Sequence, residues 1–425
     1  PSDEPGDYGV GAGQLFFQTE TGGRKGGGVY YTRQEFVRHL VNHSVLPALD
    51  QHLDQVQRVA RNDVEAATRL LFRFRVLDPA MGSGHFLVDA LDVIAERVQR
   101  FLADVPLPAL RGRLEDLRAE AGADAADDAQ LLKRLLLKHC VYGVDLQEMA
   151  VELARVALWL SSFVPGLALS YLDQNLKRGD SLVGVASVDV VLESSGKGGA
   201  RAFWGLPGGP LDRAISEAGQ IAAEIADLAD RTKAEVQRSH ELRGRLDERL
   251  KGVQRVFDLW TSEPFGTRGA RTALLAGEQI IEGVPPEDVR DLLDRAETES
   301  AKRSFFHWPL EFPEIFHRRS ERNPGFDAVI GNPPWDEITV EALAFFGLHD
   351  PGLRGLTSRS EQESRITSLV ERFPHLTNEF EHRQLETAAQ RAFFRPENGY
   401  RQQGGGDADL YQLFCERYAT LTRSG

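Results

Sequence analysis

The stretch FDAVIGNPPWDEI, residues 326–338, runs an apolar segment into an amide, two proline rings and a large aromatic. Phe326–Ile330 reads as a short interior strand, because it is apolar, contains a β-branched pair and follows the turn signal Asn323-Pro324-Gly325. Polar chemistry begins only where that strand stops, at Asn332, followed by Pro333, Pro334 and Trp335. Read without other context, the same residues describe a Pro-Pro turn capped by a buried Trp. Three further chemical groups sit at the ends of other apolar runs. LDPAMGSGHFL places Asp78 at the end of a strand over Phe74–Leu77, then Gly82 and Gly84, then a helix. The glycines let backbone approach a ligand closely, and a helix start there offers unpaired N–H groups. HCVYGVDLQEMAVELARVALWLSSF repeats the pattern, with a strand ending at Asp145 and a helix from about Gln147 to Ser161. An acid at that place in a doubly wound sheet accepts hydrogen bonds from ribose hydroxyls, and it equally suits a helix N-cap. RGDSL adds Asp180 after a third candidate strand, which alone would be an ordinary turn acid. Acids and glycine turns at three successive strand ends describe an α/β nucleotide-binding sheet.

Those strands have to be held by the rest of the chain, which is long enough for two or three domains, or for one with large insertions, at 425 residues and 41% hydrophobic content. No apolar run approaches the ~18 residues of a membrane span, and the start, Pro-Ser-Asp-Glu-Pro, has neither a Met nor a signal-peptide pattern. A fragment or processed product in a reducing cytoplasm is the expectation. The only two cysteines, Cys140 and Cys415, form no clustered zinc or disulfide framework, so no metal is assigned. A net charge of −14 argues against a broadly cationic nucleic-acid coat while permitting a local groove. The Gly-rich TGGRKGGG lacks the Gly-Lys-Ser/Thr ending of a phosphate loop. Helical spacing runs from Thr32 to about Val56 through Phe36, Val37, Leu40 and Val41. Residues 104–139 read as an added helical segment, and 285–303 as another helix.

The ordered set Asp-Pro-x-x-Gly-Ser-Gly, Gly-Val-Asp, Gly-Asp-Ser-Leu and Asn-Pro-Pro-Trp resembles the amino-group DNA methyltransferases that form N6-methyladenine. GGVYYTRQEFVRHLV resembles their Tyr-Thr-Pro segment, with Arg33 in place of the usual Pro, and its position before the glycine turn matches the gamma arrangement. The resemblance covers Gly26 to Leu182 and Phe305 to Trp335. FHWPLEFPEIF and the long inserts look most like the large methylases of type IIG restriction-modification and phage-defence systems, such as PglX-like and DISARM methylases.

The resemblance implies a doubly wound Rossmann-like sheet, S-adenosylmethionine as cofactor and double-stranded DNA as partner. It assigns Thr32 and Asp78 to the cofactor's methionine end, Asp145 to its ribose, Leu146 and Asp180 to its adenine, and Gly82 and Gly84 to close backbone approach. Tyr30 and Tyr31 are either a shield for that pocket or core. Asn332 and the Pro333 carbonyl would accept the two N–H bonds of the target amino group, the proline rings limiting their freedom, while Trp335 stacks on the flipped base. The implied division is an entry segment at 1–28, an N-terminal helical segment at 29–73 and a cofactor-binding half at 74–184. A helical insertion follows at 185–304; over 211–257 its Ile, Ala and Leu positions recur about every 3.5 residues, which reads as a solvated helical insertion or as an antiparallel hairpin or short coiled coil. The catalytic strand and loop occupy 305–339, a second, partly mobile insertion 340–403, and a helix leading to missing final strands 404–425. Sequence choice is expected in a downstream target-recognition domain, and other subunits of a defence system are candidate partners. Methylation of RNA or of protein glutamine, and a non-catalytic cofactor-binding scaffold, remain open alternatives.

Overall fold

The computed structural model describes residues 32–122, 127–194, 203–205, 207–316, 324–403 and 409–423. The 1–28 segment and the Tyr30-Tyr31 pair lie outside the described residues. Among the described residues, four short parallel strands form one sheet: β1 (Val76–Asp78), β2 (Val141–Asp145), β3 (Leu176–Arg178) and β4 (Ala328–Val329), in the order β3-β2-β1-β4. Val76 pairs with Val141 on one side and with Ala328 on the other. Val76, Leu77, Val141, Tyr142 and Val144 are all buried, so these strands read as continuous apolar runs rather than alternating ones. The first strand begins later than its apolar run, because pairing starts at Val76. The last narrows to two residues, because the Asp327 carboxylate turns back to accept from Arg75 N at 2.8 Å. Phe326 instead makes a parallel bridge with Thr422, fixed by Phe326 N to Leu421 O and Arg423 N to Phe326 O, both 2.9 Å.

Helix α1 (Gln34–Ala60) buries Val37, Val41, Val45, Leu49, Leu53 and Val56 along one face. That face packs on α2 (His85–Asp104), which follows β1, and α1 also touches β4. Helix α3 (Glu148–Ser161) follows β2 and buries Val151, Ala154 and Leu158. Its opposite face leaves Met149, Leu153, Val156 and Leu160 exposed, with nothing among the described residues covering them.

The 211–257 stretch forms two helices, α4 (Pro210–Asp227) and α5 (Lys233–Ser262), folded back on each other. Asp230 marks the break with a left-handed φ of 51°, an unfavourable conformation for a residue with a β-carbon. It is held there by a buried ion pair to Lys138 at 2.7 Å and by Tyr171 N, which donates to its carboxylate at 2.8 Å. The apolar cluster of this insertion continues into Leu182 and Val183 beside the sheet, and into Phe393, Tyr400 and Leu413. Residues 340–403 are mostly helical, including Arg359–Arg372 and His375–Phe393. Their weak periodicity has a physical cause: the first of these helices buries only Leu369, the second only Leu376 and Phe393. Helix α6 (Leu410–Leu421) then leads into the Thr422 bridge. No helix among the described residues is long and apolar enough to cross a membrane.

Candidate active site

The carboxyl ends of β1, β2, β3 and β4 lead into Asp78, Asp145, Asp180 and Asn332 respectively. At the end of β1, Asp78 is buried; its Oδ1 accepts from Ala80 N at 3.0 Å, and its Oδ2 has no hydrogen-bond partner among the described residues. Burial pushes this carboxyl up to about 8, the Ala80 N–H opposing the shift and the negative charge of Asp145 adding to it. The glycine turn docks on β2 through Met81 N to Val144 O, 3.1 Å, and Gly82 N to Asp145 Oδ2, 2.9 Å. Gly82 has φ 51° and Gly84 φ 81°. The two serve different ends. A β-carbon on Gly84 would lie 3.0 Å from Ala154 Cβ, so Gly84 lets α2 start against α3. A β-carbon on Gly82 would meet nothing within 4 Å, so that backbone faces open ground.

Each Asp145 oxygen takes one backbone donor, Gly82 N on Oδ2 and Gln147 N on Oδ1 at 2.8 Å. Burial raises its pKa against these two bonds. The N-cap of α3 is Gln147, so Asp145 braces the approach to the helix instead of capping it. Leu146 beside it is 46% exposed, an apolar surface at the mouth. Asp180 accepts from Leu182 N at 2.9 Å and Val183 N at 3.2 Å, the geometry of a turn acid, and burial raises its pKa as well.

At the end of β4, Gly331 has φ 147°, and a β-carbon there would lie 2.6 Å from Asp78 Oδ1 and 3.0 Å from the Tyr418 hydroxyl. Glycine therefore seats the Asn332-Pro333-Pro334-Trp335 loop directly against Asp78. Asn332 follows, half-buried, with Nδ2 donating to Thr32 Oγ1 at 3.1 Å. The Trp335 indole donates to Asn332 Oδ1 at 2.9 Å. An indole N–H can only donate, so this bond fixes which end of the amide is oxygen. Trp335 is 65% exposed and stacks on Tyr411 with ring centres 5.7 Å apart. The buried-Trp reading of this turn fails on that exposure. Pro333 and Pro334 are half-buried.

Thr32, assigned by resemblance to the cofactor's methionine end, has its hydroxyl on the Asn332 amide. Its segment is pinned to α2 by Gln34 Nε2, which donates to both Asp89 oxygens at 2.7 Å, and by the contact of His85 with Gln34. Arg33 has φ −62° and ψ 142°, a conformation proline also adopts. Sequence reasoning missed Tyr411 and Tyr418, seven apart on α6 and hence on one face. The Tyr418 hydroxyl is buried without a partner among the described residues, and burial together with the nearby Asp78 charge pushes it well above the usual range.

Residues 139–343 match the family model of the Eco57I restriction-modification methylase, and residues 53–181 match that of the MmeI DNA-methyltransferase domain. The chain is similar to restriction-modification methylases. A Methanocaldococcus jannaschii protein named as a type II restriction enzyme and methyltransferase is 23% identical over 377 residues. The match covers 74% of this chain and 28% of that protein, so the chain spans less than a third of its relative's length. No solved structure matches the chain significantly. Between them the two family matches span all four strands of the small parallel sheet.

Proposed function

We propose that the chain is the catalytic part of a DNA methyltransferase that carries a methyl group from S-adenosylmethionine to adenine N6 of a flipped-out base, in a restriction-modification or phage-defence system. The observation that carries this reading is the Asn332 amide at the carboxyl end of β4. It is half-exposed, oriented by an exposed Trp, and set one residue from the glycine that touches Asp78. The strand order β3-β2-β1-β4 agrees with the first four strands of a doubly wound nucleotide-binding sheet.

The residues present fit the proposed cofactor. Asp78 Oδ2 is an orphaned acceptor suited to a cation, the Asp145 carboxylate would meet the ribose, Leu146 offers an apolar face, and the backbone at Gly82 is open to approach. S-adenosylmethionine supplies an electrophilic methyl group on a sulfonium. Thr32, Asp78, Gly82, Asp145, Leu146 and Asp180 would hold it.

An adenine amino group is a weak nucleophile because its lone pair is delocalised into the ring. Acceptors on its two N–H bonds redirect that lone pair out of the plane. Asn332 Oδ1 has two lone pairs, one engaged by Trp335, so a second remains for the substrate. The Pro333 carbonyl is the other acceptor, and the proline rings keep it preorganised. Trp335 presents an exposed indole face on which an extruded base can stack. Sequence selection by a separate target-recognition domain, and association with other defence subunits, belong to the same proposal.

The experiment is to incubate the full protein with isotopically labelled S-adenosylmethionine and, separately, duplex DNA, RNA and protein. Label in DNA adenine supports the reading. Label confined to RNA or to protein glutamine, or binding without transfer to any of the three, refutes it in favour of one alternative.

A further inference from the structure

The segment FFHWPLEFPEIF, residues 305–316, takes no part in the chemistry above, yet hydrogen bonds and an ion pair tie it to the Asp180 loop, the helical insertion and β3. Its start runs alongside the loop that carries Asp180. Asp180 N donates to Ser304 O at 2.8 Å, Phe306 N to Val183 O at 2.9 Å and Trp308 N to Val185 O at 3.0 Å. Trp308 Nε1 donates to Ser181 O at 3.2 Å, and Ser181 Oγ donates to Pro79 O at 2.6 Å, so the same contact reaches the turn after Asp78. The approach is close enough to require two glycines. A β-carbon on Gly179 would lie 2.3 Å from the Phe306 ring, and one on Gly184 2.1 Å from the Phe306 carbonyl oxygen.

His307 lies at the centre, buried. Its Nδ1 accepts from Val185 N at 3.1 Å, which leaves Nε2 as the protonated nitrogen, donating to Asp258 Oδ1 at 3.0 Å. Asp258 is itself buried and belongs to α5, on the helical insertion. Further along, Glu311 pairs with Lys177 on β3 at 2.9 Å and faces Arg243 on α5 at 3.9 Å. The segment thus joins the insertion to the third strand and to the Asp180 loop.

We propose that His307 is a positioning residue that holds the Asp180 loop in its cofactor-ready shape by bridging it to Asp258, which makes the helical insertion a structural support of the cofactor site. The proposal rests on the reading that Asp180 contacts S-adenosylmethionine. Replacing the imidazole with leucine leaves the Val185 N–H and the Asp258 carboxylate buried without a partner. A glutamine presents one acceptor and one donor at nearly the spacing of the two ring nitrogens, so it can restore both bonds.

The test uses the full-length protein and two readouts. Cofactor affinity is measured by calorimetry, and amide hydrogen exchange at residues 182, 183 and 185 is measured without cofactor. His307→Leu is expected to weaken affinity about tenfold, as expected when ~1.4 kcal/mol of binding is lost, to raise KM for the cofactor more than it lowers kcat, and to speed exchange at the three amides. His307→Gln is expected to return both readouts most of the way. Trp308→Phe, which removes only the N–H to Ser181 O, is the milder variant if the leucine protein does not fold, and is expected to move both readouts in the same direction. A folded His307→Leu or Trp308→Phe protein with wild-type affinity and wild-type exchange overturns the proposal. Unchanged affinity in Asp180→Ala overturns the reading of Asp180 instead, and with it the link to the cofactor, while leaving the exchange result to report on the clamp itself.

Discussion

Replacing Asp78 with asparagine should stabilise the ligand-free protein while weakening its grip on the cofactor. In the fold this carboxyl is buried, with a single backbone donor on Oδ1, and its pKa rises from 3.8 to about 8. The unfolded chain therefore binds fewer protons than the folded one between those two values, so stability falls as pH rises through that window. Below pH 3.8 both states hold the proton and the effect vanishes. At pH 7 the group has been held protonated through roughly 3 pH units above its unfolded value, which at ~1.36 kcal/mol each amounts to on the order of 4 kcal/mol. Asparagine is neutral at every pH and keeps the acceptor for Ala80 N. Thermal melting without cofactor, from pH 5 to 8, should show Asp78→Asn more stable than wild type at pH 7.5, with the gap closing towards pH 5. The same variant should lose affinity for S-adenosylmethionine, whose cationic end then meets no carboxylate. An Asp78→Asn protein that melts below wild type at pH 7.5, or a gap that does not change with pH, would refute this account of the buried acid.

The proposed function gives Trp335 two separable duties. Trp335→Ala should weaken engagement of the extruded base by ~1 to 3 kcal/mol, the worth of a base–aromatic stack, seen as a higher KM for DNA and lower fluorescence of a 2-aminopurine placed at the target. Trp335→Phe keeps a stacking face but removes the N–H on Asn332, so it should lower kcat more than DNA affinity; equal effects on both would argue against the orienting bond. Asp230→Ala leaves Lys138 buried without its carboxylate and should cost about 3 to 5 kcal/mol in chemical denaturation, and a loss under ~1 kcal/mol would show the pair to be dispensable.

Much of the sheet edge was legible because its signals are local. An apolar run, then an acid or amide, then glycine or proline, marks a strand end within a dozen residues, and Asp78, Gly82, Asp145 and Asn332 were all visible in that way. What escaped depends on distant partners. Thr32 meets Asn332 across 300 positions of sequence, and no periodicity announces that contact. The break between α4 and α5 depends on Lys138, some ninety residues before Asp230, since Asp230 by itself does not predict a left-handed turn. The segment around His307 read as an aromatic motif without a task because its partners lie near residue 183 and at Asp258. The helices at 359–393 hid for the opposite reason, burying too few side chains to print a stripe.

Under the proposed function, Asn332 activates an adenine amino group for methylation. The most direct test of that role is nucleoside mass spectrometry of duplex DNA incubated with S-adenosylmethionine and either the full wild-type protein or its Asn332→Ala variant. Losing one preorganised acceptor at the transition state should lower kcat at least ~10²-fold, with cofactor affinity nearly intact. N6-methyladenine from the wild type and none above background from a folded, cofactor-binding variant is the expected result. Wild-type turnover by Asn332→Ala, or methylation of a base other than adenine, would contradict the account.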